Sequence, residues 1–303
     1  MVSSGLKKIC WSIFVSALWS TAVALDPGMA ASETIKISWD PSLVRPGGVV
    51  PVRVTPPTGL NKIEAISING QFPLIQNRGG DHIALVGIAS IFKGPVYNLD
   101  FKLFPPGDAD PYLVDADLQL AVKMGQPARK QALSLPDKMV HLSETKLTQV
   151  QQNTRFLWKI LSARTPERYW HDPFLLPVQG RISTRFGVRR VLNGVPKRPH
   201  GGIDIAAPKG TPIAAANRGV VVMAEDFYLY GKTVVLDHGW GLYTIYAHQD
   251  SIEVREGQLL ERGQTLGRVG TSGRVTGPHL HFSSFIRGAK VNPEQLIEAT
   301  SDL

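Results

Sequence analysis

Two short patterns in this chain place residues for chemistry: His279-Leu280-His281, and His200-Gly201-Gly202-Ile203-Asp204. In a strand, residues two apart point to the same face, so both imidazoles of the first pattern project together while Leu280 turns into the core. The paired glycines of the second argue against a helix. In an extended chain, the even separation again puts His200 and Asp204 on one face. Two imidazoles and a carboxylate gathered from two strands make a three-ligand zinc site with a fourth position open to water. Catalytic sites use that ligand count, because structural zinc sites are usually closed by four protein ligands. Spacing alone leaves open which of His279 and His281 would bind the metal.

Other catalytic schemes fit less well. The only cysteine, Cys10, lies in an N-terminal apolar run, so after export the chain would have neither a disulfide nor a thiol nucleophile. No HExxH pattern occurs, which disfavours a glutamate-based metalloprotease. The glycine-rich run from Gly270 to Gly277 lacks the lysine of a phosphate-binding loop and reads as a flexible wall beside a substrate groove. Tyr228, Tyr230, Trp240 and Tyr246 are candidates for lining that groove, with core packing as the alternative. His238 reads as a structural residue at a strand end. His82, His141 and His171 read as surface or packing histidines.

Further motifs accompany the two metal patterns in one order along the chain. They are Ser183-Thr184-Arg185-Phe186-Gly187, Pro199 to Pro208, Asp237-His238-Gly239-Trp240-Gly241, Tyr246-Ala247-His248 and Gly270 to Phe282. Together they resemble the lysostaphin/LytM-type zinc endopeptidases that cleave peptidoglycan, over residues 173–298. The resemblance implies one zinc per chain with ligands His200, Asp204 and His281. It also implies a nearby catalytic pair, His248 and His279, that does not bind the metal. Imidazoles titrate near neutrality and can serve as base or acid, so they could orient or deprotonate a water and stabilise an oxyanion.

The elements that must position these residues read as mainly β. From Ile35 to Val122, short alternating stretches broken by Pro and Gly turns predict an immunoglobulin-like sandwich over 33–125. Ser143 is a candidate cap for a helix over 144–162 within a linker spanning 126–172, with Leu147, Val150, Leu157, Trp158 and Leu161 sharing one face. Residues 173–303 return to short strands and glycine turns, and predict an antiparallel β catalytic domain.

Lys7 and Lys8, the apolar run from Ile9 to Ala24, and Ala22-Val23-Ala24 predict a cleaved export signal over residues 1–24. With it gone, no membrane-spanning segment is expected. The formal charge of +8 would fall by the two lysines to +6. No dense Lys/Arg block occurs, so nucleic acid is not an expected partner; a basic surface also suits an anionic cell wall. The expected place of work is the periplasm, or the cell wall or extracellular space, on peptidoglycan peptides. A wall-associated protein could engage the N-terminal domain. The alternative is an inactive wall-binding or regulatory protein of the same fold. Filled metal and catalytic positions favour the enzyme.

Overall fold

A computed structural model describes residues 20–24, 34–55, 62–67, 70–76, 80–91, 97, 99–104, 112–114, 130–301 and 303. Most of the expected export signal, residues 1–19, lies outside the described residues. Its last residues, Ser20–Ala24, form a strand paired with Thr34–Ser38. Among the described residues, no helix is long and apolar enough to cross a membrane.

Residues 1–88 and 92–124 form one compact unit, and 89–91 with 125–303 a second. The described part of the first unit is two antiparallel sheets. One runs Ser20–Ala24, Thr34–Ser38, Val49–Thr55, His82–Gly87, Leu74–Gln76; the other runs Gly70–Phe72, Lys62–Ser67, Leu99–Phe104, Tyr112–Val114. Val50, Val52, Val54, Ile83 and Val86 are buried in the first sheet, and Ile63, Ala65, Phe72, Leu99 and Phe101 in the second. β-Branched and aromatic residues hold these rows because such side chains pack well on a pleated surface. These are the two layers a sandwich requires.

In the second unit, residues expected to link the domains are part of the fold. Lys130–Leu133 pairs in parallel with Arg189–Leu192, which turns back through Val195–Pro196. The expected helix forms over Glu144–Leu161, and the Ser143 hydroxyl accepts from the Lys146 N–H at 3.4 Å. Leu157 and Leu161 are buried as expected, but Leu147 and Trp158 remain 47% and 45% exposed. The apolar face is thus narrower than its spacing predicts. It packs through its C-terminal half: Leu157 and Leu161 join Met223, Phe227, Val235, Tyr243, Ile245 and Phe285, and Trp158 meets only the edge of Phe285 at 6.0 Å.

The sheet beneath that helix is antiparallel throughout, in the order Arg181–Thr184, Ile203–Ala206, His279–Ile286, Leu242–Ile252, Gly231–Asp237, Gly219–Phe227, Leu259–Leu260. Along His279–Ile286, Leu280 and Phe282 are fully buried on one face. Burying side chains of this size stabilises by about 1.5–3 kcal/mol each, so register is firmly set. The opposite face presents His279, His281, Ser283 and Phe285. Phe285 lies under the helix, and the histidine end of that row extends beyond it.

Candidate metal centre

Register assembles the site. Asp204 pairs directly with His281, and His281 pairs on its other side with Ala247. Side chains opposite one another across antiparallel strands lie close on one face, so the Asp204 carboxylate and the His281 ring must meet. His200 reaches them from just before the strand. The intervening Gly202 is required there: a Cβ on it would stand 2.3 Å from the Phe282 carbonyl oxygen and 3.0 Å from the His281 ring. The His200 and Asp204 expectation therefore meets a chain that must hug its neighbour to deliver both groups.

The three side chains are buried, and their ligand-bearing atoms form a tight triangle. His200 Nε2 is 2.9 Å from Asp204 Oδ1 and 2.9 Å from His281 Nδ1, and His281 Nδ1 is 2.8 Å from Asp204 Oδ1. Protonation of the rings follows from their other contacts. His200 Nδ1 lies 3.1 Å from the Arg185 carbonyl oxygen. A carbonyl only accepts, so the proton is assigned to Nδ1 and Nε2 keeps its lone pair. A proton on His281 Nδ1 can then point at Asp204 or at His200. Either way, His200 Nε2 and the aspartate oxygen still face each other as two acceptors.

A cation satisfies all three edges at once. Zinc bonds of roughly 2.0–2.1 Å imply tetrahedral ligand separations of about 3.3 Å, so the triangle fits such an ion after opening by a few tenths of an ångström. Ser283 Oγ is 2.8 Å from His281 Nε2, and Arg190 Nη2 hydrogen-bonds the second carboxylate oxygen of Asp204. Such outer partners fix ligand rings and carboxylates. Burial would raise the Asp204 pKa, but the His200 and His281 rings packed against it outweigh that and hold the carboxyl well below its usual range. Burial brings His281 down to about 4, against the opposing pull of Asp204.

His248 and His279 stand beside this triangle with their rings 4.9 Å apart, and the His248 ring is 5.9 Å from that of His281. His279 Nε2 is 3.8 Å from Asp204 Oδ1, too long for a hydrogen bond. Each ring is tied through Nδ1 to a carbonyl, His248 to Ser272 at 2.9 Å and His279 to Gly277 at 2.8 Å. Both therefore keep Nε2 as a spare lone pair when neutral. Burial, reinforced by His281 and His279, pushes the His248 pKa well down and favours the neutral ring.

Simple alternation predicts Tyr246 and His248 on one face, and here the structure differs. Tyr246 lies on the opposite side, packed on Phe282 at 5.3 Å with its hydroxyl accepting from the Ala216 N–H. His248 adopts φ 65°, and the register with the Gly231–Asp237 strand slips around it. A bulge with a left-handed residue re-aims a side chain, and this one turns His248 toward the histidines. Of the four aromatics proposed for the groove, Tyr230 reaches the site, its ring 5.9 Å from His281. Trp240 instead donates to the Pro166 carbonyl, and Tyr228 stacks with Lys146.

The glycine-rich run is tethered rather than free. Ser272 Oγ accepts from the Lys232 N–H at 2.9 Å and donates to the Gln249 carbonyl at 2.7 Å. Gly231 and Gly273 permit this approach; a Cβ on Gly231 would lie 2.4 Å from the Ser272 carbonyl carbon.

The remaining histidines are elsewhere. His238 is fully buried between the Arg218 carbonyl and the Thr244 hydroxyl, and His171 Nδ1 meets Arg168. Sequence reasoning missed Ser283 and Arg190. Ser283 was available from the two-residue period that pairs His279 with His281. Arg190 comes from a segment whose approach only the tertiary fold decides.

Known proteins share this region. Residues 198–293 match the sequence profile of peptidase family M23. Over 114 residues the chain is 47% identical to the peptidoglycan DD-endopeptidase ShyA of Vibrio cholerae, covering 37% of this chain and 26% of that protein. Over 126 residues it is 40% identical to the DD-carboxypeptidase/endopeptidase Mpg of Neisseria meningitidis, covering 42% of this chain and 29% of that one. The matched stretch therefore spans less than a third of the length of these curated relatives. A solved structure from Pseudomonas aeruginosa assigned to peptidase M23 aligns over 84% of this chain and 96% of its own, at 27% identity and a TM-score of 0.63. The resemblance read from the motifs is borne out, and so is the mainly β architecture.

Proposed function

We propose that this chain, whose residues 198–293 belong to peptidase family M23, is a zinc-dependent endopeptidase that hydrolyses peptide cross-links or stem peptides of peptidoglycan. The observation that carries this reading is the buried triangle of His200 Nε2, Asp204 Oδ1 and His281 Nδ1, in which lone pairs converge without enough protons to separate them. In this proposal those three atoms hold one zinc, and His248 and His279 complete the machinery. Zinc so held would polarise a scissile carbonyl and lower the pKa of a water toward neutrality.

The chain's own groups do the rest. His248 Nε2 and His279 Nε2 accept a proton from the attacking water, stabilise the developing oxyanion once protonated, and return a proton to the leaving amine. The Ser272 and Gly277 carbonyls hold these rings in the Nδ1–H form, so both lone pairs face the reacting groups. Arg190 and Ser283 orient Asp204 and His281. The proposed place of work is outside the cytoplasm, reached through the export signal of residues 1–24. The N-terminal sheets are the proposed surface for a wall-associated partner.

Purified chain incubated with isolated sacculi should release new amino termini, and chelation should stop the release. Binding to sacculi with no new termini, at full zinc occupancy, would support the inactive wall-binding reading instead.

A further inference from the structure

Arg274 stands out among the residues around the site. It lies in the tethered loop two residues after Ser272, whose carbonyl holds the His248 ring. Its own N–H donates to the Leu229 carbonyl at 2.9 Å, which sets its backbone next to Tyr230, whose ring lies 5.9 Å from that of His281. The side chain is partly buried, and its one hydrogen bond among the described residues runs from Nη1 to the Met139 carbonyl oxygen at 3.4 Å. No carboxylate pairs with it there. Burial works against its charge, and so does Arg190, which is already committed to Asp204, while Tyr230 and Tyr228 favour it.

A partly buried guanidinium with a long neutral contact and a like-charged neighbour is poorly compensated. Its fork geometry matches a carboxylate, which can accept two parallel N–H bonds. Stem peptides of peptidoglycan carry free carboxylates at their C-termini and on interior acidic or diamino-acid residues.

Resting on the peptidase reading above, we propose that Arg274 is a specificity-determining residue that receives a free carboxylate of the substrate peptide beside the bond to be cut. It touches the substrate away from the reacting atoms, so it governs binding more than turnover. A substrate lacking that carboxylate leaves the guanidinium uncompensated and is discriminated against.

The test uses the full zinc-loaded chain and three cross-linked stem-peptide dimers: one with every carboxylate free, one amidated at the C-terminus, and one amidated at the interior carboxylate. On the free dimer, Arg274→Ala should raise KM about 10- to 100-fold, the range expected for losing a hydrogen bond between charged groups. Turnover should stay within about twofold, since the lost contact is shared by ground state and transition state. Arg274→Lys should recover part of the loss. One of the two amidated dimers should raise the wild-type KM by the same factor and be indifferent to the substitution; which one does so identifies the carboxylate. An unchanged KM in Arg274→Ala, or an equal loss on all three dimers, would overturn the assignment while leaving the peptidase reading intact. A wild-type chain that binds zinc and cuts none of the dimers would overturn the peptidase reading, and the anchor with it. Arg274→Gln supplies the same comparison if the alanine variant does not fold.

Discussion

Two buried histidine environments lie on the same sheet and differ in one respect. At His238 both ring nitrogens have a neutral partner: Nδ1 faces the Arg218 carbonyl at 2.8 Å, and Nε2 the Thr244 hydroxyl at 2.7 Å. Phe174 closes the pocket with its ring 4.9 Å away. At His200, Asp204 and His281 the side chains are also buried, yet three polar atoms within 2.9 Å of one another lack the protons to satisfy every contact. Burial is therefore no guide to function here. The unfinished hydrogen-bond account is, because a buried polar group without a partner costs about 1–3 kcal/mol and persists only where something completes it.

His248 is the sharpest probe of that contrast, being buried like His238 but with Nε2 spare. His248→Ala should retain the triangle and its zinc while losing on the order of 10²–10⁴ in rate. Metal content and melting temperature would be measured beside release of amino termini. Near-wild-type turnover with zinc retained would place His248 with the structural histidines instead.

The opposite outcome is expected at His238, where stability changes and chemistry does not. Burial lowers its pKa to about 4, with the Arg218 carbonyl opposing. A free imidazole titrates near 6.5, so between these values the unfolded chain binds the extra proton and the folded chain does not. The neutral ring's stability is thus fully present above about pH 6.5 and is lost as pH falls toward about 4, a change of about 3 kcal/mol. Denaturant unfolding at stepped pH should show this slope, and His238→Gln should make it shallower by that amount, leaving the part due to His281 and His248. A slope unchanged in the variant would assign the acid sensitivity to other groups.

Much of this was legible in the sequence, for reasons particular residues make clear. The His279 and His281 period survived because Leu280 and Phe282 lock the register from the other face. Gly201-Gly202 correctly signalled extended chain, and the structure adds that Gly202 also makes room for His281. Ser143 marked the helix start because capping is local chemistry. Where reading by alternation failed, at Tyr246 and His248, a bulge had shifted the period by one, and no residue type in that stretch announces it. The wide apolar face drawn for the helix failed similarly, since spacing says which residues align but not how much of their length finds a partner. Arg190 and Arg274 carry no local signal; their meaning comes from a carboxylate and a carbonyl distant in sequence.

In the proposed function one metal completes the triangle. Metal analysis of the purified chain beside an Asp204→Ala, His281→Ala double variant tests it most directly. One zinc per chain is expected in the wild type, near-zero occupancy in the variant, and loss of peptide-bond hydrolysis with the metal. Near-stoichiometric zinc retained by the double variant would contradict it, because two of the three atoms said to hold the ion would be gone.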